Sequence, residues 1–371
     1  MSVICRDIID ELEKLAPQHL AEAWDNVGLL LGDPAQTVHK VIVALDVDQS
    51  LVNEAITTGA NLIISHHPLI FKGITSIRND SPQGSMLAAL IKAGIAVYAA
   101  HTNLDSAHGG VNDVLAQKLA LKDIRTLTTG YQEQVHKLVV FVPDSHVEQV
   151  RTAITEAGAG HSGNYSHCTF QTQGTGTFLP LIESHPFIGE QGRLEFVNEC
   201  RLETIFPVSL RSNVIRAMLA AHPYEEVAYD EYLLINKAES YGLGRVGRIT
   251  PMCLDLFIRH VKTALHINSI KAAGPVNTLI KKVAVCGGSG ASLIKNAIIA
   301  GADVLVTGDV KYHEAQQAVA EGLAIIDAGH FATEQPVIER VADYLNDCSG
   351  KKSWDIAIIT HNTARDIFTI Y

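Results

Sequence analysis

The 371-residue sequence lacks several features that mark common classes of protein. It has no run of about 20 apolar residues, the length that a bilayer-spanning helix needs. None of its six cysteines is spaced Cys-x-x-Cys, which argues against a structural zinc knuckle. Acidic residues outnumber basic ones by 40 to 29, and no basic stripe is visible, so nothing indicates a nucleic-acid-binding surface.

The remaining composition is that of an ordinary globular protein, with 47% hydrophobic and 19% charged residues. The length fits two or three domains. A secretory signal combines a basic segment with an apolar one, and the first residues of this sequence show neither. The cysteines lie among small apolar neighbours and suggest reduced thiols. We therefore expect a cytoplasmic protein with no membrane partner.

Two adjacent histidines are the most informative feature that the sequence does contain. His66 and His67 follow the apolar run 60–65, and Pro68 ends the predicted strand there. A single histidine after a strand is commonly a core or loop residue. An adjacent pair brings two imidazoles to one place, which favours metal binding.

Two further apolar runs end in possible metal ligands. One is followed by His101 and Asp105, and the other, far downstream, by His330 and Glu334. Sites in open α/β sheets form at the carboxyl ends of strands, so these side chains are expected to meet. Imidazoles and carboxylates together suit zinc, iron or manganese better than calcium or magnesium. The sequence predicts one metal site, which is binuclear and has mixed nitrogen and oxygen donors.

A binuclear site needs a bridging group, and Glu334 is the candidate. Thr333 is predicted to cap a helix that Glu334 begins, with Pro336 in its first turn. Asp105 is then a terminal ligand. Bound water with its pKa lowered towards about 7 would supply hydroxide for a hydrolytic reaction.

Three further residues are candidates for catalysis, namely Lys311, His313 and His101. The first two follow a predicted strand and could stabilise charge or carry protons. His101 could instead form a hydrogen bond with Asp105 or with the backbone, outside the metal ligands. The loop 287–290, Gly-Gly-Ser-Gly, is either a tight turn or a phosphate-binding loop, and it lacks the Lys-Ser/Thr of a P-loop.

Strands alternate with helices in both the first and the last third of the chain, which predicts a largely parallel, covered sheet. Between them, the order β-α-β-β-α-β, with a helix at 211–221, is the ferredoxin-like pattern. The Gly-rich stretch 241–247 is interpreted as a linker, and a strand is predicted at 282–286. The prediction is a three-layer α/β domain, split in sequence by an inserted ferredoxin-like α+β domain. Its parts are residues 1–128, the insert 131–240, and 245–371.

Five motifs stand out along the chain, namely Ser65-His66-His67-Pro68, His101-Thr102-Asn103-Leu104-Asp105, Thr307-Gly308-Asp309, Asp327-Ala328-Gly329-His330 with Glu334, and Trp24-Asp25-Asn26-Val27-Gly28-Leu29. Together they resemble the NGG-one-interacting-factor-three-like family, whose members carry the name GTP cyclohydrolase 1 type 2 homolog. The segments 141–143, 158–160, 174–178 and 222–226 resemble the insert of the family's long form, which has a PII/CutA-like fold. The resemblance spans essentially the whole chain.

The resemblance implies two divalent metal ions per chain, held by His66, His67, Asp105, His330 and Glu334. Glu334 would touch both ions, with His67 and Asp105 on one and His66 and His330 on the other. It also implies a toroidal homohexamer, a dimer of trimers. The family name implies ring-opening hydrolysis of GTP with release of formate.

Two classes of function therefore remain open from the sequence. The first is a binuclear metal-dependent hydrolase that uses metal-activated water on a nucleotide or a related substrate. The second is a non-enzymatic metal-binding or regulatory scaffold, whose PII-like insert binds an effector or a partner. Fold-level resemblance alone does not choose the substrate.

Overall fold

A computed structural model describes residues 3–236, 239–361 and 363–369. The chain divides into two compact units. One comprises the described residues up to Tyr131 together with those from Tyr241 onwards, and is called the split unit here. The other, called the insert, runs from Gln132 to Ser240.

Strands and helices alternate through most of the described chain. The strands are β1 Val3–Ile4, β2 Gly28–Leu31, β3 Thr37–Val38, β4 Lys40–Ala44, β5 Leu62–Ser65, β6 Ala96–Ala99, β7 Lys122–Thr126, β8 Tyr131–Gln132, β9 Val135–Pro143, β10 Thr169–Phe178, β11 Glu195–Pro207, β12 Tyr229–Leu234, β13 Ser240–Tyr241, β14 Arg245–Cys253, β15 Lys271–Ala273, β16 Leu279–Ser289, β17 Val304–Gly308, β18 Ala324–Asp327 and β19 Ala357–Thr360. The α-helices are α1 Cys5–Leu15, α2 Gln49–Thr58, α3 Pro82–Ala93, α4 Thr102–Ser106, α5 Val111–Lys118, α6 Val147–Glu156, α7 Arg211–Ala221, α8 Leu254–Ala264, α9 Ile294–Ile299, α10 Tyr312–Ala320, α11 His330–Glu334 and α12 Pro336–Lys352.

The split unit contains a five-stranded sheet in the order β19-β4-β5-β6-β2. Its first four strands are parallel, and β2 runs antiparallel at the edge. Strands β5 and β6 are buried along their whole length, because apolar clusters that include Leu12 and Leu345 on one face and Leu51 and Leu90 on the other cover the sheet. The two strands are therefore continuous apolar runs, and polar side chains follow only where they end.

The same unit contains a six-stranded sheet in the order β15-β18-β17-β16-β14-β7. Strands β16, β17 and β18 are parallel, and the other three pair antiparallel. Phe257 and Val261 of α8 pack on one face, and Ala297 and Ala318 pack on the other. The predicted α/β class is confirmed. The described strands of the split unit form two large sheets, where the alternating pattern had suggested one, and β1 and β3 pair separately.

The insert folds around a separate apolar core. Its elements follow the order β9-α6-β10-β11-α7-β12, and its antiparallel sheet has the order β10-β11-β9-β12. Leu138, Val140 and Leu202 from the sheet pack with Ile154 of α6 and Met218 of α7. Helix α7 has the predicted bounds, and the order of elements is the β-α-β-β-α-β order inferred from the sequence.

Two local predictions were wrong. The stretch 241–247 is not a linker, because its second half begins β14 and Arg245 is only 1% exposed. The strand predicted at 282–286 extends through the glycines to Ser289, so 287–290 is mostly strand rather than a tight turn. Helices in the described part of the chain are all too short or too polar to cross a bilayer.

Candidate metal centre

Six side chains from the ends of strands converge in the split unit. They form three overlapping groups of metal-competent atoms, each with its atoms within 4.8 Å of one another. The groups are His66, Asp105 and Glu334; His67, His330 and Glu334; and His66, His67 and His101. These six residues are called the donor cluster. All five predicted ligands belong to it, and so does His101.

The first sheet places four of the six donors. His66 and His67 directly follow β5, and their backbone N–H groups donate to Ala44 and Leu45, which extends the pairing with β4 by two residues. His101 follows β6 and caps α4, and Asp105 lies within that helix. Neighbouring parallel strands thus deliver these side chains to one edge of the sheet, as their spacing predicts.

The second sheet places His330 and Glu334 on one short helix. Gly329, with φ of 91°, turns the chain after β18 so that α11 begins at His330. His330 and Glu334 are therefore four residues apart on one helical face. The predicted cap at Thr333 was wrong: its hydroxyl donates to the carbonyls of Gly329 and His330 within the turn.

Glu334 lies at the centre of the donor cluster. Its Oε2 is 3.1 Å from Nε2 of His67 and 3.2 Å from Nε2 of His330. Its Oε1 is 3.8 Å from Nε2 of His66, which in turn is 3.6 Å from Oδ1 of Asp105. One carboxylate oxygen of Glu334 thus faces each group of donors, so Glu334 could contact a cation held by either group.

The grouping differs from the one that the resemblance implied. His66 lies with Asp105, and His67 lies with His330, whereas His67 was expected with Asp105 and His66 with His330. The reason is that His67 and His330 approach the same oxygen of Glu334, on the more exposed side of the cluster. The side chain of His66 is fully buried, on the same side as Asp105.

Each imidazole is held through the nitrogen that faces away from the donor cluster. Nδ1 of His66 contacts the carbonyl oxygen of Ala100 at 2.8 Å. The other three use carboxylates, and these pairs are His67 with Asp46 at 2.7 Å, His101 with Asp25 at 2.9 Å, and His330 with Asp309 at 2.6 Å. This arrangement fixes the ring orientation, leaves Nε2 free to ligate, and is the one found around metal-binding histidines.

These anchoring carboxylates were not recognised from the sequence. Asp309 directly follows β17, and Asp46 lies two residues after β4. Each precedes the histidine that it holds by 21 residues. Asp309 adopts a left-handed backbone conformation, with φ of 57°, that few residue types tolerate as well as Asp. The alternative that His101 bonds Asp105 was wrong, because Asp25 occupies its Nδ1.

Three buried atoms in the donor cluster have no hydrogen-bond partner within the described structure. They are Nε2 of His66, Oδ1 of Asp105 and Oε2 of Glu334. Their neighbours lie close but do not align for hydrogen bonds, as expected when side chains point at a shared position rather than at each other. Buried unsatisfied polar atoms are costly, and a bound cation is one of the few ways to satisfy them. The donor set therefore fits a divalent metal.

The charged groups of the donor cluster lie close enough to shift one another's pKa. Burial, reinforced by Glu334 and opposed by His66, raises the pKa of Asp105 to about 7. Burial also opposes ionisation of Glu334, but its contacts with His330, His66 and His67 hold its pKa well below the usual range. Against its burial, Asp46 and Glu334 raise the pKa of His67 to about 10. Contact with Glu334 raises that of His330 to about 9. Protons compete for the same atoms that a cation would take.

The glycines of β16 make room for Glu334. A Cβ on Gly288 would lie 2.2 Å from Oε1 of Glu334, and one on Gly287 would lie 3.3 Å from its Cγ. Backbone N–H groups of this segment are already used, since Gly287 donates to Asn112 and Gly288 donates to Thr333. They are therefore not available to bind phosphate.

Two of the predicted catalytic candidates lie outside the donor cluster. Lys311 is exposed and precedes α10, where its backbone N–H donates to Glu314. His313 is exposed within α10, with Nδ1 3.4 Å from Gln316. Only His101 among the three candidates contributes an atom to the convergent groups.

Comparison with known proteins gives the family. The model of the Duf34/NIF3 (NGG1p interacting factor 3) family matches residues 3–366. The chain belongs to this family. A protein of Halalkalibacterium halodurans named GTP cyclohydrolase 1 type 2 homolog is 45% identical over 366 residues, which cover 98% of this chain and 97% of that protein. A Bacillus subtilis protein of the same name is 44% identical over 369 residues, 99% of each chain.

A solved structure has the same fold along the whole chain. The Bacillus cereus protein related to NIF3 superposes with a TM-score of 0.94 and 45% identity, covering 100% of both chains. The family resemblance drawn from the motifs at the strand ends is confirmed.

Proposed function

We propose that this chain is a binuclear metal-dependent hydrolase. The observation that carries the proposal is the donor cluster, in which two groups of nitrogen and oxygen donors share Glu334 and three buried atoms have no hydrogen-bond partner. One ion would be held by His66, Asp105 and Glu334, and the other by His67, His330 and Glu334. The donor types suit zinc, iron or manganese. Ions of this kind supply Lewis acidity, which lowers the pKa of water and polarises a substrate oxygen.

The protein's own residues would then orient the donors and handle protons. Asp46 and Asp309 fix the rings of His67 and His330, so that Nε2 of each faces Glu334. His101 is similarly fixed by Asp25, with its ring 5.2 Å from that of His66 and 5.5 Å from that of His67. A basic nitrogen there is placed either to complete the ligand set or to hold a proton beside the reacting water.

We further propose that the substrate is a nucleotide. The support is the name of two relatives, GTP cyclohydrolase 1 type 2 homolog. Their similarity to this chain extends over nearly their whole length. Ring opening of GTP would release formate, whereas attack on the phosphates would release inorganic phosphate. The test is to follow both products with GTP as substrate. Comparison of the wild-type protein with Glu334→Ala shows which activity belongs to the donor cluster.

The test has three outcomes. Formate release that Glu334→Ala abolishes would establish the ring-opening reaction. Phosphate release with the same dependence would make the chain a phosphoesterase. Product release that continues unchanged in Glu334→Ala would contradict the assignment of the reaction to these residues.

The insert favours a second candidate function, a metal-binding or regulatory scaffold. It is a separate compact unit with its own core, and among the described residues it contributes no atom to the metal-competent groups. We propose that it is a PII/CutA-like domain and that the chain assembles as a toroidal homohexamer, for which family membership is the support. Light scattering gives the oligomeric state. Stabilisation of the full chain by a nucleotide in Glu334→Ala would indicate a binding site outside the metal centre.

A further inference from the structure

Two large aromatic side chains lie exposed beside the donor cluster. Trp24 is 60% exposed and Phe71 is 45% exposed, and their ring centroids are 5.8 Å apart with planes tilted by 50°. Large aromatic rings usually contribute to stability by burial, so two neighbouring rings left in solvent at a site indicate a binding surface. Trp24 and Phe71 are called the aromatic rim.

The aromatic rim is held in place by hydrogen bonds of adjacent residues. Asp25, whose side chain is fully buried, accepts hydrogen bonds from His101 and Thr102 and thereby fixes the turn that carries Trp24. The side-chain amide of Asn26 donates to the carbonyl of Ile70, which ties this turn to the segment that carries Phe71. The two segments that carry the rings are therefore held in place beside each other.

The aromatic rim is continuous with the donor cluster through His101. The ring of His101 is 6.2 Å from Trp24 and 6.4 Å from Phe71, edge-on to both. On its other side it lies 5.2 Å from His66. The same Asp25 carboxylate thus orients a member of the donor cluster and holds the rim. A ligand that covers the rim extends directly to the cluster.

We propose that Trp24 and Phe71 form a stacking platform for a planar heteroaromatic ring, such as a nucleobase, of a substrate whose polar part reaches the donor cluster. The proposal deepens the function proposed above and rests on it for the position of the reacting end. Flat rings stack on aromatic side chains without needing hydrogen bonds to identify the base. Such a platform requires no guanine-reading motif.

The chain's own tryptophans provide the test. The chain has two tryptophans. The second, Trp354, follows α12, and its ring centroid lies 5.2 Å from the ammonium nitrogen of Lys352. In the Trp354→Phe protein all tryptophan emission comes from Trp24. Guanosine, GTP and inorganic tripolyphosphate are titrated into metal-loaded samples, with correction for absorbance, while metal content is measured on the same samples.

We expect guanosine and GTP to quench Trp24 with saturation, and tripolyphosphate to leave its emission unchanged. Phe71→Leu should weaken guanosine binding about tenfold, the order expected for loss of one stacking partner, with metal content unchanged. The control is Phe170→Leu, a phenylalanine on β10 of the insert that is 68% exposed, and this change should leave the affinity unaltered.

Failure of the platform and failure of the metal centre give different results. If the Trp24 emission of metal-loaded protein changes with neither guanosine nor GTP, the proposed stacking platform is overturned, and the proposed metal centre is unaffected. Saturable quenching in protein that retains no metal would support the platform and contradict the metal-dependent function. Trp24 emission that changes with protein concentration alone would show that a second copy of the chain covers the rim, and would overturn the proposal.

Discussion

Two buried charged groups in the split unit differ in how well they are satisfied. Arg245 is 1% exposed, and all five of its N–H donors have acceptors. Asp113 takes two of them, at 2.6 and 3.2 Å, and backbone carbonyls that include Gly242, Gly244 and Ala107 take the others. Arg245 with Asp113 is called the arginine pair.

The buried side of the donor cluster, by contrast, is not satisfied by the side chains of the cluster itself. His66, Asp105 and Glu334 each have a buried atom that lacks a hydrogen-bond partner among the described residues. Burial of charge is tolerated only when the charge is compensated. The arginine pair therefore completes itself and serves the fold, whereas the donor cluster keeps buried atoms that a cation could satisfy.

Loss of the arginine pair should have the largest effect on folding. Arg245→Ala leaves Asp113 buried without its partner, so we expect the free energy of unfolding to fall by about 3–5 kcal/mol. Urea denaturation measures this. Arg259→Ala, at an exposed ion pair with Asp255, is the matched control and should cost less than about 0.5 kcal/mol. Equal losses in the two variants would remove the distinction drawn here.

Metal removal should destabilise only a protein with an intact donor cluster. With free metal at 100 to 1,000 times its dissociation constant, a chelator should lower the free energy of unfolding by about 2.7–4.1 kcal/mol for each ion that it removes. Glu334→Ala should give no response to the chelator, and exposed Glu339→Ala should respond like the wild type. Wild-type unfolding that is unchanged by the chelator would mean that the unsatisfied atoms are a feature of the fold.

Removal of an anchoring carboxylate should weaken metal binding without removing a ligand. We expect Asp309→Ala to lower metal affinity about 10-fold to 100-fold, because His330 then loses the partner that orients it. Competition with a chromophoric chelator measures the affinity. Asp255→Ala, another aspartate with an exposed side chain, is the control. An Asp309→Ala protein with unaltered affinity would show that His330 needs no anchor.

The smallest effect on stability is expected at Thr333, which links β16 to the turn of α11 that carries His330 and Glu334. Its hydroxyl accepts from the backbone N–H of Gly288 and donates within the turn of α11. Thr333→Val keeps the shape and removes these bonds, so unfolding should become easier by about 1 kcal/mol. Thr333→Ser retains the hydroxyl and should keep most of the stability that Thr333→Val loses. Identical stability of the Val and Ser variants would contradict this role.

The strand ends were predictable from the sequence because burial and polarity change there abruptly. Runs such as 60–65 are apolar since both faces of their sheet are covered, and the side chains of His66 and His67 follow at once. The same contrast predicted His330 and Glu334. The five predicted ligands are together in the structure for this reason.

The parts that could not be predicted depend on contacts between distant segments. One alternating β-α pattern is compatible with either one sheet or two, because periodicity does not specify which strands pair. Asp25 precedes His101 by 76 residues, and no local signal joins them. Arg245 lies in a glycine-rich stretch that is typical of a linker, and only its partner Asp113 explains why it is buried.

We propose that the donor cluster holds two ions through a shared Glu334. The most direct test is metal content per chain, measured by mass spectrometry on protein purified without added metal, for the wild type, Glu334→Ala and the control Glu339→Ala. The account predicts about two ions in the wild type and the control, and almost none in Glu334→Ala, because both groups lose a ligand. A wild-type protein without metal, or a Glu334→Ala protein that retains both ions, would contradict it.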